Sequence, residues 1–340
     1  MSPYDNQLTS LLATLPNRDV TFDSIPSLRK AQDSVATLEM TLQPPISNHF
    51  THEQLTVPSL QGTDTVTLSI FRPSLAPTPA SVIYYMHSGG IVCGNRFTFL
   101  RQDALLWALA SSAVCVTVEY RLAPEDPFPA AVDDCWAGLV WLARHADELG
   151  LDRHRIMVAG QSAGGNLAAV MALRARDGGD EESPRVCAQL IDCGMLDDRS
   201  RTPSWEQCAR SGGGTWSRVS NVTAWKAILG DAGHDGEGSD AHKVGQAANI
   251  AARVEDLSCL PPAFVSVGQA DGFRDENVEY AGRLWAAGVP TELHVWPGGY
   301  HCFDVLVPDA AVSRRCLAAK TAWVVKMLAP ENTKASTAKL

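Results

Sequence analysis

The chain predicts a doubly wound α/β fold: a mostly parallel sheet flanked by helices, with a helical lid above it. Three observations carry this. From Ser81 onward, short apolar runs alternate with helical stretches. A Gly-rich turn with Ser at its tip follows one of those runs. Residues 195–255 separate two strands by far more chain than a crossover needs, the place where a lid is inserted.

Taken in order, residues 1 to about 50 read as helical and amphipathic. Leu28, Ala31, Val35, Leu38 and Leu42 give Ser27–Leu42 a near-helical apolar spacing. Thr65–Phe71 alternates polar and apolar as a strand does, and Pro73, Pro77 and Pro79 mark a turn. The candidate strands are Val82–Met86, Val114–Glu119, Ile156–Ala159, Val186–Ile191, Phe264–Val267 and Thr291–Val295. Most are continuous apolar runs, as expected of strands covered on both faces. The candidate helices are Phe99–Ala110, Ala131–Leu149, Asn166–Arg176, Asn277–Ala287 and Ala310–Leu328. Within 195–255, Gly212-Gly213-Gly214 and the Gly- and Asp-rich Asp231–Asp240 stretch predict mobile loops, and Trp205, Trp216 and Trp225 a small lid core.

The 340 residues suffice for one large α/β domain, and 45% hydrophobic content predicts a sizeable core. A formal net charge of −10 argues against nucleic acid or an anionic membrane as partner. No apolar run reaches the ~18 residues of a membrane span. The N-terminus has no basic segment before Arg18, so a secretory signal is not expected. The 9 cysteines include no C-x-x-C pair. They read as reduced thiols of an intracellular protein, with no zinc site. The chain ends Ala338-Lys339-Leu340, one conservative step from the S-K-L address. A peroxisomal import receptor is therefore a candidate partner, and the location cytoplasmic or peroxisomal; the same ending also fits a frayed terminus.

The chemistry concentrates at four strand ends. In Gly160-Gln161-Ser162-Ala163-Gly164-Gly165, small residues flank a Ser between a strand and a helix, the nucleophile-elbow pattern. The turn is tight enough to strain the Ser backbone, and the helix N-terminus beneath it stabilises negative charge. His87-Ser88-Gly89-Gly90 follows the strand ending at Met86. Glycines there let backbone N–H groups approach a developing oxyanion. Asp271 and His301 lie in the loops after the strands ending at Val267 and Val295. Asp275 and Glu276 are alternative acids.

With Tyr120-Arg121-Leu122-Ala123-Pro124-Glu125, Phe128-Pro129-Ala130-Ala131 and Met195-Leu196-Asp197-Asp198-Arg199, these motifs make residues 82–328 resemble the hormone-sensitive-lipase-like (H-G-G-G) carboxylesterases of the α/β-hydrolase superfamily. The resemblance implies an α/β-hydrolase fold with an eight-stranded, mostly parallel sheet. Residues 51–194 and 256–329 would be its core, 1–50 and 195–255 its cap, and 330–340 a flexible tail. It implies Ser162 as nucleophile, His301 as base and acid, Asp271 as the orienting acid, and the amides of Gly89, Gly90 and Ala163 as the oxyanion hole, with no metal or organic cofactor.

The chain departs from that pattern at Ser88, Gln161, Asp126, Cys193-Gly194 and Cys302. Ser88, Gln161, Cys302 and Trp216 are candidates to line the site. Neither Cys93 nor Cys302 sits on an elbow, so neither is expected to be a nucleophile. The expected activity is cleavage of a small carboxylic ester, lactone or acetyl group through an acyl-enzyme. An acyltransferase, a cyclase, a thioesterase-like release enzyme or a formamide hydrolase would use the same triad. A ligand-binding receptor would typically lack its Ser or His.

Overall fold

The computed structural model describes residues 3–14, 19–62, 64–178, 183–230 and 250–328. Eight strands form one sheet: β1 (Phe50–Pro58), β2 (Thr65–Pro73), β3 (Ala80–Met86), β4 (Val114–Glu119), β5 (Leu151–Gln161), β6 (Val186–Asp192), β7 (Ala263–Gly268) and β8 (Thr291–Trp296). Their order is β1-β2-β4-β3-β5-β6-β7-β8. The β1–β2 and β2–β4 pairs are antiparallel and the others parallel.

The apolar runs are explained by their two buried faces. Val82, Tyr84 and Met86 of β3 enter one core cluster and Ile83 and Tyr85 the other, the period of two that a pleat imposes. The first cluster takes in α5 (Ala130–Arg144), α6 (Ala163–Asp177) and α9 (Arg274–Ala286). The second takes in α4 (Ala104–Ser111) and α11 (Ala311–Leu328). Every residue of α6 from Ala163 to Leu173 is buried, which suits its short, Ala-rich side chains.

The structure corrects several expectations. No single helix spans Ser27–Leu42. After α1 (Thr9–Thr14), the segment breaks into α2 (Ile25–Asp33) and α3 (Leu38–Thr41). Thr37 is extended and its hydroxyl accepts from the Met40 amide, a cap that starts a new helix. The apolar stripe is not realised, because Val35 is 62% exposed. Strand β1 was not foreseen. It is an edge strand in which only Phe50 and Val57 are buried, so its pattern is faint. Helix α4 begins at Ala104 rather than Phe99, and α5 ends at Arg144 rather than Leu149.

Between β6 and β7 lie α7 (Pro203–Arg210) and α8 (Arg218–Leu229). Trp205 packs against Phe273 beside the sheet edge, ring centroids 4.8 Å apart, rather than within a separate lid core. The Asp231–Asp240 stretch predicted as a mobile loop, and residues 330–340 with Ala338-Lys339-Leu340, lie outside the described residues. A short α10 (Phe303–Leu306) precedes α11. Among the described residues no helix is long and apolar enough to cross a membrane.

Candidate active site

Strands β3, β5, β7 and β8 are parallel, so their C-terminal ends share one edge of the sheet. The motif-bearing loops all leave from that edge, where open α/β sheets bind ligands.

The turn after β5 is forced. Ser162 has φ 58 and ψ −120, a region that non-glycine residues avoid. Such strain is of order 1–3 kcal/mol. It is offset by hydrogen bonds: the Ser162 amide donates to Asp192 O at 2.8 Å, and Ser162 O accepts from Met195 and Gly165 amides at 2.9 Å. Each contributes roughly 0.5–1.5 kcal/mol. The flanking glycines are steric necessities. A Cβ at Gly160 would lie 2.2 Å from Gly164 O, and one at Gly164 would lie 2.1 Å from Met86 O.

The turn brings Ser162 Oγ to 2.9 Å from His301 Nε2, while His301 Nδ1 lies 2.9 Å from Asp271 Oδ2. The loops carrying the two partners are tied together: the Ala270 amide donates to Gly299 O and the Gln269 amide to Trp296 O, both at 2.8 Å. Asp275 and Glu276 are engaged elsewhere. Asp275 accepts from the Ser204 amide and pairs with Arg274, and Glu276 accepts from the Leu196 and Asp197 amides. Burial opposes a charge on His301, but the Asp271 carboxylate outweighs it and holds the imidazole well above its ordinary pKa. Cys193 also adjoins the ring, but burial keeps its thiol well above the usual range and so uncharged. Asp271 is therefore the acting cause. The arrangement allows the ring to take the Ser162 proton while the carboxylate balances the resulting charge.

The Gly89 and Gly90 turn follows β3 with φ values of 124 and 64. Among the described residues the amides of Gly89, Gly90 and Ala163 have no backbone or side-chain acceptor. The loop is braced from behind. Burial brings the His87 pKa down to about 4, so the ring is neutral. Its Nδ1–H donates to Ser88 O at 2.7 Å, and it stacks on Tyr120, centroids 4.0 Å apart. Burial pushes the Cys93 thiol up to about 12, and the thiol donates to Gly89 O.

Ser88 is buried beside this turn. Trp216 stands over it: a Cβ at Gly90 would lie 2.8 Å from Trp216 Cη2. The adjacent Thr215 hydroxyl donates to His301 O at 2.6 Å. Helix α2 reaches the same loop, because Arg29 donates to Val92 O and Ala123 O, both at 2.7 Å.

Gln161 does not line the site. It is fully buried below the elbow, its Nε2 3.2 Å from Asp192 Oδ2. Below it lies a group that none of the motifs includes. Lys320 of α11, fully buried, donates to Asp103, Asp192 and Asp304. Burial opposes its charge, but the three carboxylates hold its pKa well above the ordinary value. Its ammonium occupies the place where those acids could gather a cation. A second potential ligand set, Cys193, His301 and Cys302, has its ligand atoms within 4.8 Å of one another.

Residues 83–305 match the family described as alpha/beta hydrolase fold. The esterase LipI of Mycobacterium tuberculosis (strain ATCC 25618 / H37Rv) is 38% identical over 250 residues, 71% of this chain and 72% of that protein. The carboxylesterase NlhH of the same strain is 34% identical over 310 residues, 90% of this chain and 92% of that protein. The solved structure of a bacterial heroin esterase superposes with a TM-score of 0.83 at 34% identity, covering 96% of this chain and 99% of that one.

Proposed function

The chain belongs to the α/β-hydrolase superfamily, in its hormone-sensitive-lipase-like carboxylesterase family, and on that premise we propose that it hydrolyses small carboxylic esters through an acyl-enzyme on Ser162. The single observation that carries the reading is the unbroken Ser162–His301–Asp271 chain of hydrogen bonds at the tip of the strained turn.

In this reading Ser162 Oγ attacks the ester carbonyl as His301 Nε2 takes its proton. The carbonyl oxygen becomes an alkoxide facing the amides of Gly89, Gly90 and Ala163. One such donor is worth about 10²–10³ in rate. The C–O bond to the alcohol then breaks, and His301 gives its proton to the departing oxygen. Water, deprotonated by the same ring, attacks the acyl-enzyme, and the acid leaves as Ser162 regains its proton. Asp271 keeps Nδ1 protonated and balances the imidazolium. Residues 1–50 and 195–255 act as a cap in this scheme, with Trp216 limiting the space over the glycine turn.

A fluorophosphonate probe tests the reading. One adduct per chain on the Ser162 peptide, with p-nitrophenyl acetate hydrolysis lost in step, is expected. Wild-type protein that stays unlabelled at Ser162, or a Ser162→Ala variant that still hydrolyses the ester at the wild-type rate, would sink it.

A further inference from the structure

Cys193 and Cys302 come together from the strands on either side of β7, one after β6 and one after β8. Both keep a side chain where the backbone favours glycine, with φ of 39 and 59. Their sulfurs are 3.8 Å apart. Two thiolates bound at about 2.3 Å to one tetrahedral zinc-like ion stand about 3.8 Å apart, whereas a disulfide brings the sulfurs to about 2.05 Å. A ring nitrogen of His301 completes a three-ligand set within 4.8 Å. Two sulfurs and one imidazole form a donor set that selects thiophilic ions over magnesium or calcium. Val267 and Val305, with Phe99 packed against them, wall the pair on its far side. Cys193, His301 and Cys302 are all buried, so the three donors face one another away from bulk water.

We propose that Cys193, Cys302 and the His301 imidazole bind a single thiophilic divalent cation of the zinc class, and that its binding switches the hydrolase off. The ion displaces one proton from each thiol and coordinates both sulfurs, giving a neutral pair of metal–thiolate bonds and two released protons. It also takes a ring nitrogen that otherwise faces Ser162 or Asp271. Loss of activity on binding rests on the catalytic role proposed for His301; the binding itself does not.

The full chain, reduced and freed of metal, is titrated with Zn²⁺ during p-nitrophenyl acetate hydrolysis, and separately with Cd²⁺ while thiolate-to-metal ultraviolet absorbance and proton release are followed. One ion per chain, two protons released, and inhibition reversed by a chelator are expected. Cys193→Gly and Cys302→Gly relieve the backbone rather than strain it. Each should weaken the metal's apparent affinity about tenfold or more, judged against that variant's own metal-free rate. The absorbance reads binding whether or not the ester is a substrate. Equal potency of Mg²⁺, unchanged Zn²⁺ sensitivity in both variants, or oxidation of the pair to a disulfide in place of metal uptake would overturn the proposal.

Discussion

The ammonium of Lys320 donates to the Asp192 carboxylate at 2.8 Å, and the backbone carbonyl of the same Asp192 receives the Ser162 amide. The same ammonium binds Asp103 at the head of α4 and Asp304 in the helix after His301. One buried cation thus joins the strand end under Ser162 to the element following His301.

Replacing Lys320 with Met should therefore destabilise the fold by about 3–5 kcal/mol, because three buried acids lose their only cation among the described residues. Urea unfolding measures this. Burial, as the largest cause, has pushed the Asp103 pKa up to about 8. Pairing Lys320→Met with Asp103→Asn should recover part of the loss. In folded single-variant protein, kcat should fall more than KM rises. Wild-type stability in Lys320→Met would refute the argument.

In the proposed mechanism His301 must be unprotonated to take the Ser162 proton. Its pKa is held well above the ordinary value, so activity should climb with pH through a limb lying above pH 6.5. Asp271→Asn removes the chief upward cause. The limb should move to lower pH while the plateau falls by about 10³–10⁴. The profile of kcat/KM against pH gives both, and a wild-type acid limb below 6.5 would contradict the electrostatic reading.

Gly90→Ala should lower kcat by about 10²–10³, since both its φ of 64 and the Trp216 ring resist a Cβ. Adding Trp216→Leu separates the two causes. Recovery beyond the single variant assigns the defect to the ring, and none assigns it to the backbone. A fully active Gly90→Ala enzyme would remove this amide from the oxyanion site.

Gly164→Ala meets backbone rather than a movable side chain, at 2.1 Å. Either α6 or β3 must shift. The expected result is a loss of about 1–3 kcal/mol in stability, with a Ser162 that labels slowly. Thermal unfolding and fluorophosphonate labelling rates check it.

The central strands were legible because burial on both faces makes them continuous apolar runs, and the elbow because its glycines have no substitutes. Strand β1 was hidden by its one-sided burial at the sheet edge. The break after Asp33 was hidden because Thr37 supplies a cap inside an intact apolar spacing. Lys320 did leave a signal: it falls between Cys316 and Trp323 on the buried face of α11. A lone lysine there reads as a stem reaching for solvent. Its acids come from residues 103, 192 and 304, and no local pattern unites them. The 193–302 sulfur pair is equally remote in sequence, 109 residues apart.

Thr215 holds the backbone of His301 while its neighbour Trp216 stands over Gly90. In the proposed mechanism, any shift of this two-residue bar would disturb His301 and the Gly90 amide together. An ester too bulky for the bar to settle back would dwell in the cleft unreacted. The expected signature of an oversized ester is then a lower turnover number with little change in its binding.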